Sequence, residues 1–328
     1  MHTIFKIFQE LKKQSLNNSD SFSVSSLPLI KNHKIGISHI KQPIFFIKCT
    51  DSANVKSIDS NLEFVSVQFN KKCQLKTNKN TFEEDVYSII SLKTDSAELQ
   101  EYFLEIVYLI IKKLSDKPRL IDLKTEVDSL INLFSKFSNP SVKTIQGLWA
   151  ELLVIEQSSD PDYLIRGWHR NKFDKYDFND GTDKLEIKST SKSRRIHRFS
   201  IEQLNQNKNS SLIIASIIAV ETGVGKNIFG LIELIEKRIK DKELYFRINE
   251  VIAQTLGRDF EKSFEVFYDY QLAVDSIKYY YGENVPTISS NSIPTQITNI
   301  RFDCDLTDIS DVKSCKNKSL LHNSLFKK

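Results

Sequence analysis

The sequence predicts a mixed α/β protein with an αβββαβ core and a smaller α+β module ahead of it. Three observations carry this. Between Asn139 and Val220 the apolar period switches from helical to strand-like and back. The run Leu212–Val220 is continuously apolar and rich in β-branched residues, the pattern of a central strand covered on both faces. Ahead of the core, strand-like patterns at 35–37, 43–47 and 65–69 alternate with Asn, Asp and Ser clusters before giving way to a helical face.

Taken in order, Ile4, Phe5, Ile7, Phe8 and Leu11 are interrupted by Lys6, Glu10 and Lys12, which reads as an amphipathic helix and not as a signal peptide. After the short strands, Leu99, Phe103, Ile106, Ile110 and Leu114 trace one helical face, broken at Asp116–Pro118. Residues 1–118 are therefore expected to form the smaller module. Residues 119–305 form the core domain, entered through a linking helix around Leu123–Phe137, and 306–328 form a polar, lysine-rich tail with weak packing signals.

Within the core, Asn139-Pro140 pairs an N-cap residue with Pro at the first helical position and predicts a helix start. Val142, Ile145, Leu148, Trp149, Leu152, Leu153 and Ile155 continue it as an apolar stripe, with Glu151 inside the run. A carboxylate there is costly to bury without a partner. Two readings stand for Glu151: the solvated margin of the helix, or a site residue. Strands are expected at about Tyr163–His169, Lys175–Phe178 and Lys184–Ser189, and Ser200-Ile201-Glu202-Gln203 reads as a capping box opening a helix. Gly223-Val224-Gly225-Lys226 lacks the residues of a phosphate loop and reads as a turn into a helix over Asn227–Ile239. A helix near Arg247–Leu256 and strands near Ile277–Tyr281 and Ile297–Cys304 complete the domain, with Tyr268, Tyr270, Tyr279, Tyr280 and Tyr281 expected in its core or on its sheet.

The chemistry concentrates in Tyr176–Lys188. Asp180-Gly181 is a hairpin signal, because Gly tolerates the positive φ of a tight turn, so Asp177 and Glu186 are expected on facing strands. Side chains two apart share a strand face, which puts Glu186 and Lys188 together and turns Ile187 the other way. Two carboxylates with a carbonyl and water suit Mg²⁺, and a neighbouring lysine can orient the attacking water. The competing reading is an ordinary Glu-x-Lys triplet in a surface strand. Behind the triplet, Lys192, Arg194, Arg195, His197 and Arg198 are either a solvated loop or a phosphate clamp. His169 and His197 have no companion at metal-ligand spacing and stay outside the expected catalytic set.

The order helix, strand, strand, strand, helix, strand, with the acidic residue on the second strand and Glu-x-Lys on the third, resembles the PD-(D/E)XK nuclease superfamily. The sequence is most similar to PD-(D/E)XK-motif proteins of bacterial restriction and phage-defence loci. The matching residues are Gly147–Leu152, Trp168-His169, Tyr176-Asp177-Phe178, Glu186-Ile187-Lys188-Ser189 and Phe199–Leu204. The resemblance implies a restriction-endonuclease-like fold, Asp177 and Glu186 with the Ile187 carbonyl as ligands of Mg²⁺ or Mn²⁺, Lys188 as catalytic lysine, Glu151 supporting metal or water, and Gln203 as a supporting polar residue. Tyr176 stands where the name-giving motif has proline. The implied activity is cleavage of double-stranded DNA by a homodimer or with other defence-locus proteins. A non-cleaving DNA-binding or assembly subunit and a hydrolase of other phosphate esters are the alternatives.

Composition bounds these readings. The chain has 328 residues and a formal net charge of +4, too mild to establish nucleic-acid binding by itself. Its four cysteines, Cys49, Cys73, Cys304 and Cys315, are scattered, which excludes a zinc-ribbon pattern and a disulfide scaffold and makes a reducing cytoplasm the expected compartment. The longest apolar run is too short to span a bilayer, so no membrane is expected.

Overall fold

The computed structural model describes residues 3–14, 22–50, 58–77, 81–170, 174–205, 210–289, 293–315 and 319–326. Their contacts divide the chain into units 1–139 and 140–328. The sequence reading drew this boundary near 118; the linking helix belongs with the first unit.

In the first unit α1 (Thr3–Gln14) buries Ile4, Phe8 and Leu11, the stripe its sequence spacing requires. Strands β1 (Phe22–Ser26), β2 (Lys34–Ile37), β3 (Pro43–Ile47), β4 (Ser60–Asn61), β5 (Val65–Thr77) and β6 (Phe82–Leu92) form one sheet in the order β1-β2-β3-β6-β5-β4. Because β1 also pairs with β5 in parallel, five strands close into a ring, with the two-residue β4 paired to β5 outside it. Helices α2 (Ala97–Lys113) and α3 (Leu120–Ser135) follow. Ser96 caps α2, its Oγ accepting from the Leu99 amide at 3.2 Å.

The second unit opens on α4 (Ile145–Gln157), five residues later than Asn139-Pro140 suggested. Thr144 is the cap, its Oγ1 accepting from the Gly147 amide at 3.1 Å, and Val142 is 72% exposed instead of joining the stripe. The signal expected at Asn139-Pro140 is realised at Asp160-Pro161, where Asp160 caps α5 (Pro161–Gly167). A strand was expected there; only a bridge between Trp168 and Phe178 remains of it. Next come β7 (Phe178–Asn179), β8 (Lys184–Thr190), β9 (Ile196–Ser200), the single turn α6 (Ile201–Leu204) and β10 (Leu212–Ile218). Then follow β11 (Glu221–Thr222), α7 (Ile228–Glu236), α8 (Glu243–Leu256), β12 (Phe267–Tyr268), α9 (Tyr270–Ser276), β13 (Lys278–Tyr281), β14 (Arg301–Asp305) and α10 (Leu320–Asn323).

The central sheet runs β13-β10-β8-β7, with β8 and β10 parallel and the outer pairs antiparallel. This gives the expected mixed α/β class. Helix α4 packs on β8, buries Leu148, Trp149, Leu152 and Leu153, and anchors Trp149 by its Nε1 donating to the Lys226 carbonyl at 2.9 Å. Each such large apolar side chain contributes about 1.5–3 kcal/mol by leaving water. On the sheet, Phe199, Leu204, Leu212, Ile214, Tyr280 and Leu306 form one buried cluster. Two sequence expectations change here. Residues 196–200 of the basic run form a strand paired with β14, because His197 and Phe199 alternate inward. The tail also carries packing: Leu321, His322 and Leu325 are buried, and the His322 ring lies 2.9 Å from the Lys184 carbonyl.

Candidate active site

The β7–β8 hairpin sets the first half of the site. Asp180 Oδ1 accepts from the Thr182 and Asp183 amides at 2.9 and 2.8 Å, and Gly181 has φ 101°, a conformation a Cβ would strain. Phe178 pairs with Leu185, so Asp177, one residue before the strand, falls opposite Glu186. Asp177 Oδ2 accepts from the Ile187 amide at 2.7 Å, which fixes the carboxylate against β8. Period two places Lys188 beside Glu186, and Nζ meets Oε1 at 2.7 Å while lying 5.2 Å from the Phe199 ring centre. Gln203 Nε2 donates to the same Oε1 at 2.7 Å.

Helix α4 supplies the second half. Glu151 is only 2% exposed, which excludes the solvated-margin reading. Its Oε2 accepts from Trp168 Nε1 at 2.7 Å and lies 2.8 Å from His169 Nε2, while its Oε1 receives Lys143 Nζ at 2.6 Å. The Lys143 ammonium also contacts Asp177 Oδ1, bridging the two carboxylates. His169 reaches Glu151 from a left-handed backbone, φ 41°, held by its amide donating to the Asp177 carbonyl at 3.0 Å.

Asp177, Glu186 and Glu151 are all buried, yet their surroundings shift their pKa values in different directions. Burial raises Glu186, joined by the nearby Asp177 charge, and its pKa is pushed up to about 7 despite Lys188. Burial and Glu151 likewise raise Asp177. Burial opposes ionisation of Glu151 too, but Lys143 and His169 outweigh it and bring its pKa down to about 2. Both carboxylates share the Lys143 ammonium, but Glu151 is also hydrogen-bonded to His169, whereas Asp177 feels the repulsion of the Glu151 charge.

The donor set fits a divalent cation. Glu186 Oε2 is buried without a hydrogen-bond partner, a costly condition that an ion would relieve. One ligand atom each from Glu151, His169 and Asp177 also lies within 4.8 Å of the others. Carboxylate oxygens suit Mg²⁺ and Mn²⁺.

The basic run does not act as one clamp. Arg195 is buried, its guanidinium donating to the Ser216 carbonyl and hydroxyl at 2.8 and 2.9 Å and to the Ser276 carbonyl. It braces β9 against β10 and cannot reach phosphate. Arg194 pairs with Asp305 and Lys192 is exposed on the loop beyond β8. Only Arg198, bidentate on Asp303, lines the pocket of about 370 Å³ beside Lys188, with Lys175, Arg301, Phe199, Ser200, Glu202 and Gln203. Lys143 and Arg301 escape the sequence reading, and His169, set aside there for want of a companion His or Cys, lies against Glu151. Lys143 precedes the cap in an irregular segment with no period, and Arg301 is brought in by the β9–β14 pairing, where it faces Ser200. The adjacency of His169 to Trp168 within a quoted motif was the one available signal.

No curated protein and no solved structure matches the chain. A family model described as "Putative PD-(D/E)XK family member" matches residues 4–307. That span includes both halves of the site, and the chain belongs to this family of the PD-(D/E)XK nuclease superfamily.

Proposed function

We propose that the protein is a divalent-metal-dependent DNA endonuclease of the restriction or phage-defence type. The observation that carries the reading is the convergence of Asp177, Glu186, Lys188 and Glu151 in one buried site beside a basic pocket, with Glu186 Oε2 unpartnered. Asp177, Glu186 and the Ile187 carbonyl would hold Mg²⁺ or Mn²⁺, which when bound offsets charge on the phosphate and acidifies water. Lys188 presents its ammonium to the pocket, where it orients water and phosphate. Gln203 fixes the Glu186 carboxylate, and Glu151 with Lys143 and His169 orders the α4 side. Lys175, Arg198 and Arg301 supply cations for the phosphates of double-stranded DNA. A homodimer would cut both strands, since one site cuts one strand at a time.

One observation favours a second reading, a non-cleaving DNA-binding or assembly subunit: the Lys143 ammonium bridges Glu151 and Asp177 and offsets part of their charge. Plasmid nicking separates the two. Cleavage with Mg²⁺ that stops with EDTA supports the endonuclease. DNA binding with no nicking under either Mg²⁺ or Mn²⁺ selects the second, and hydrolysis of nucleotides alone overturns both.

A further inference from the structure

Resting on the metal-dependent reading above, we infer that Lys143 is a resident counter-cation that holds Glu151 and Asp177 together until a divalent metal displaces it. Its Nζ sits 2.6 Å from Glu151 Oε1 and in contact with Asp177 Oδ1. Asp177 Oδ2 is committed to the Ile187 amide. Oδ1, the oxygen left for a metal, is therefore the one the ammonium holds.

Coexistence of the two cations is unfavourable. A divalent ion binding Oδ1 at about 2.1 Å would lie within roughly 4 Å of the ammonium, where like charges repel strongly in a buried setting. Charge balance points the same way. Glu151, Asp177 and Glu186 bring three negative charges when ionised, against Lys143 and Lys188. With His169 counted as neutral, exchanging Lys143 for a divalent ion restores neutrality, and keeping both overshoots it.

Lys143 is also built to leave. Its side chain is 31% exposed while its two partners are nearly closed off, and it stands in the irregular segment before Thr144, outside the α4 ladder. Lys188, by contrast, is held on β8 between Glu186 and Phe199. The two lysines thus divide the work: Lys188 stays with the substrate pocket, and Lys143 guards the carboxylates in the metal-free protein.

The test is calorimetric titration of Mn²⁺ into the full chain at pH 8, for the parent, Lys143→Met and Lys143→Arg, with thermal unfolding recorded without metal. Lys143→Met should bind Mn²⁺ at least about tenfold tighter than the parent, because a competing charge is gone, and should unfold at lower temperature without metal. Lys143→Arg should stay near the parent in both. If Lys143→Met does not fold without metal, Lys143→Gln takes its place in the same comparison. Equal or weaker Mn²⁺ binding by the neutral variant, with the parent binding, overturns the displacement and leaves the endonuclease reading standing. Absence of Mn²⁺ binding in parent and variants alike overturns both.

Discussion

Gln203 Nε2 donates to Glu186 Oε1 at 2.7 Å while Gln203 Oε1 accepts the Ser200 amide at 3.0 Å, so one side chain closes the capping box of α6 and aims a buried carboxylate. A local helix signal is thereby part of the site. Gln203→Ala should cost about 1 kcal/mol through the lost cap and should also raise the Mn²⁺ concentration needed for half-saturation. A stability loss with unchanged Mn²⁺ affinity would make Gln203 a cap and nothing more.

In the proposed reaction Asp177 and Lys188 would act from either side of Glu186. Asp177→Asn keeps an oxygen for the Ile187 amide but loses charge, and Lys188→Ala removes the ammonium facing the pocket. Each should lower nicking by at least about 10²–10³-fold, with circular dichroism unchanged. Unaltered nicking by both variants would remove this constellation from catalysis.

The raised pKa of Glu186 makes a signed prediction about stability. Its carboxyl has an ordinary value of 4.5 and about 7 when folded, so the native state holds the proton more tightly. Its contribution is therefore full below 4.5 and is lost as pH rises through about 7, on the order of 3 kcal/mol in all. His197, depressed to about 4, works in the opposite direction over an overlapping range, so the parent profile alone is ambiguous. The difference between parent and Glu186→Gln isolates the effect: the variant should gain on the parent between pH 4.5 and 7 in metal-free denaturant titrations. A difference independent of pH would contradict the buried, unpartnered oxygen.

The arginines separate by burial. Arg195→Ala removes a donor from the buried Ser216 carbonyl and hydroxyl and from the part-buried Ser276 carbonyl, and should destabilise by about 2–4 kcal/mol without a specific effect on DNA. Arg301→Ala, at the pocket, should instead leave stability within about 0.5 kcal/mol and reduce the salt slope of DNA binding by about one. An unchanged slope in Arg301→Ala would take the pocket out of the phosphate path.

Periodicity made one half of the site readable. Glu186 and Lys188 share a face because strands have period two, and the Asp180-Gly181 turn brings Asp177 across from them. The other half depends on long-range pairing that no local pattern carries. Arg195 and Arg198 are both arginines in one basic run, and only the inward alternation of β9 and its β14 partner separates a brace from a pocket residue. The first core strand failed for a local reason: Tyr163–Gly167 has strand-like residues, but Asp160 and Pro161 start a helix ahead of them.

Glu151 is the strictest test of the α4 side, because three groups converge on it: Lys143 at Oε1, and Trp168 and His169 at Oε2. Glu151→Gln keeps the shape but removes the charge of a buried side chain, so the Lys143 ammonium keeps only Asp177 as a charged partner. The expected cost is on the order of 3 kcal/mol at pH 7, as for other broken buried pairs. The sign with pH is opposite to that of Glu186. The Glu151 pKa is depressed from 4.5 to about 2, so its stabilisation is present above 4.5 and is lost as pH falls toward 2. Parent and Glu151→Gln should therefore differ most above pH 5 and converge as the solution is acidified toward pH 3. Denaturant titrations across that range decide it, and a gap that widens on acidification would mean that Glu151 is not the ionised centre of this cluster.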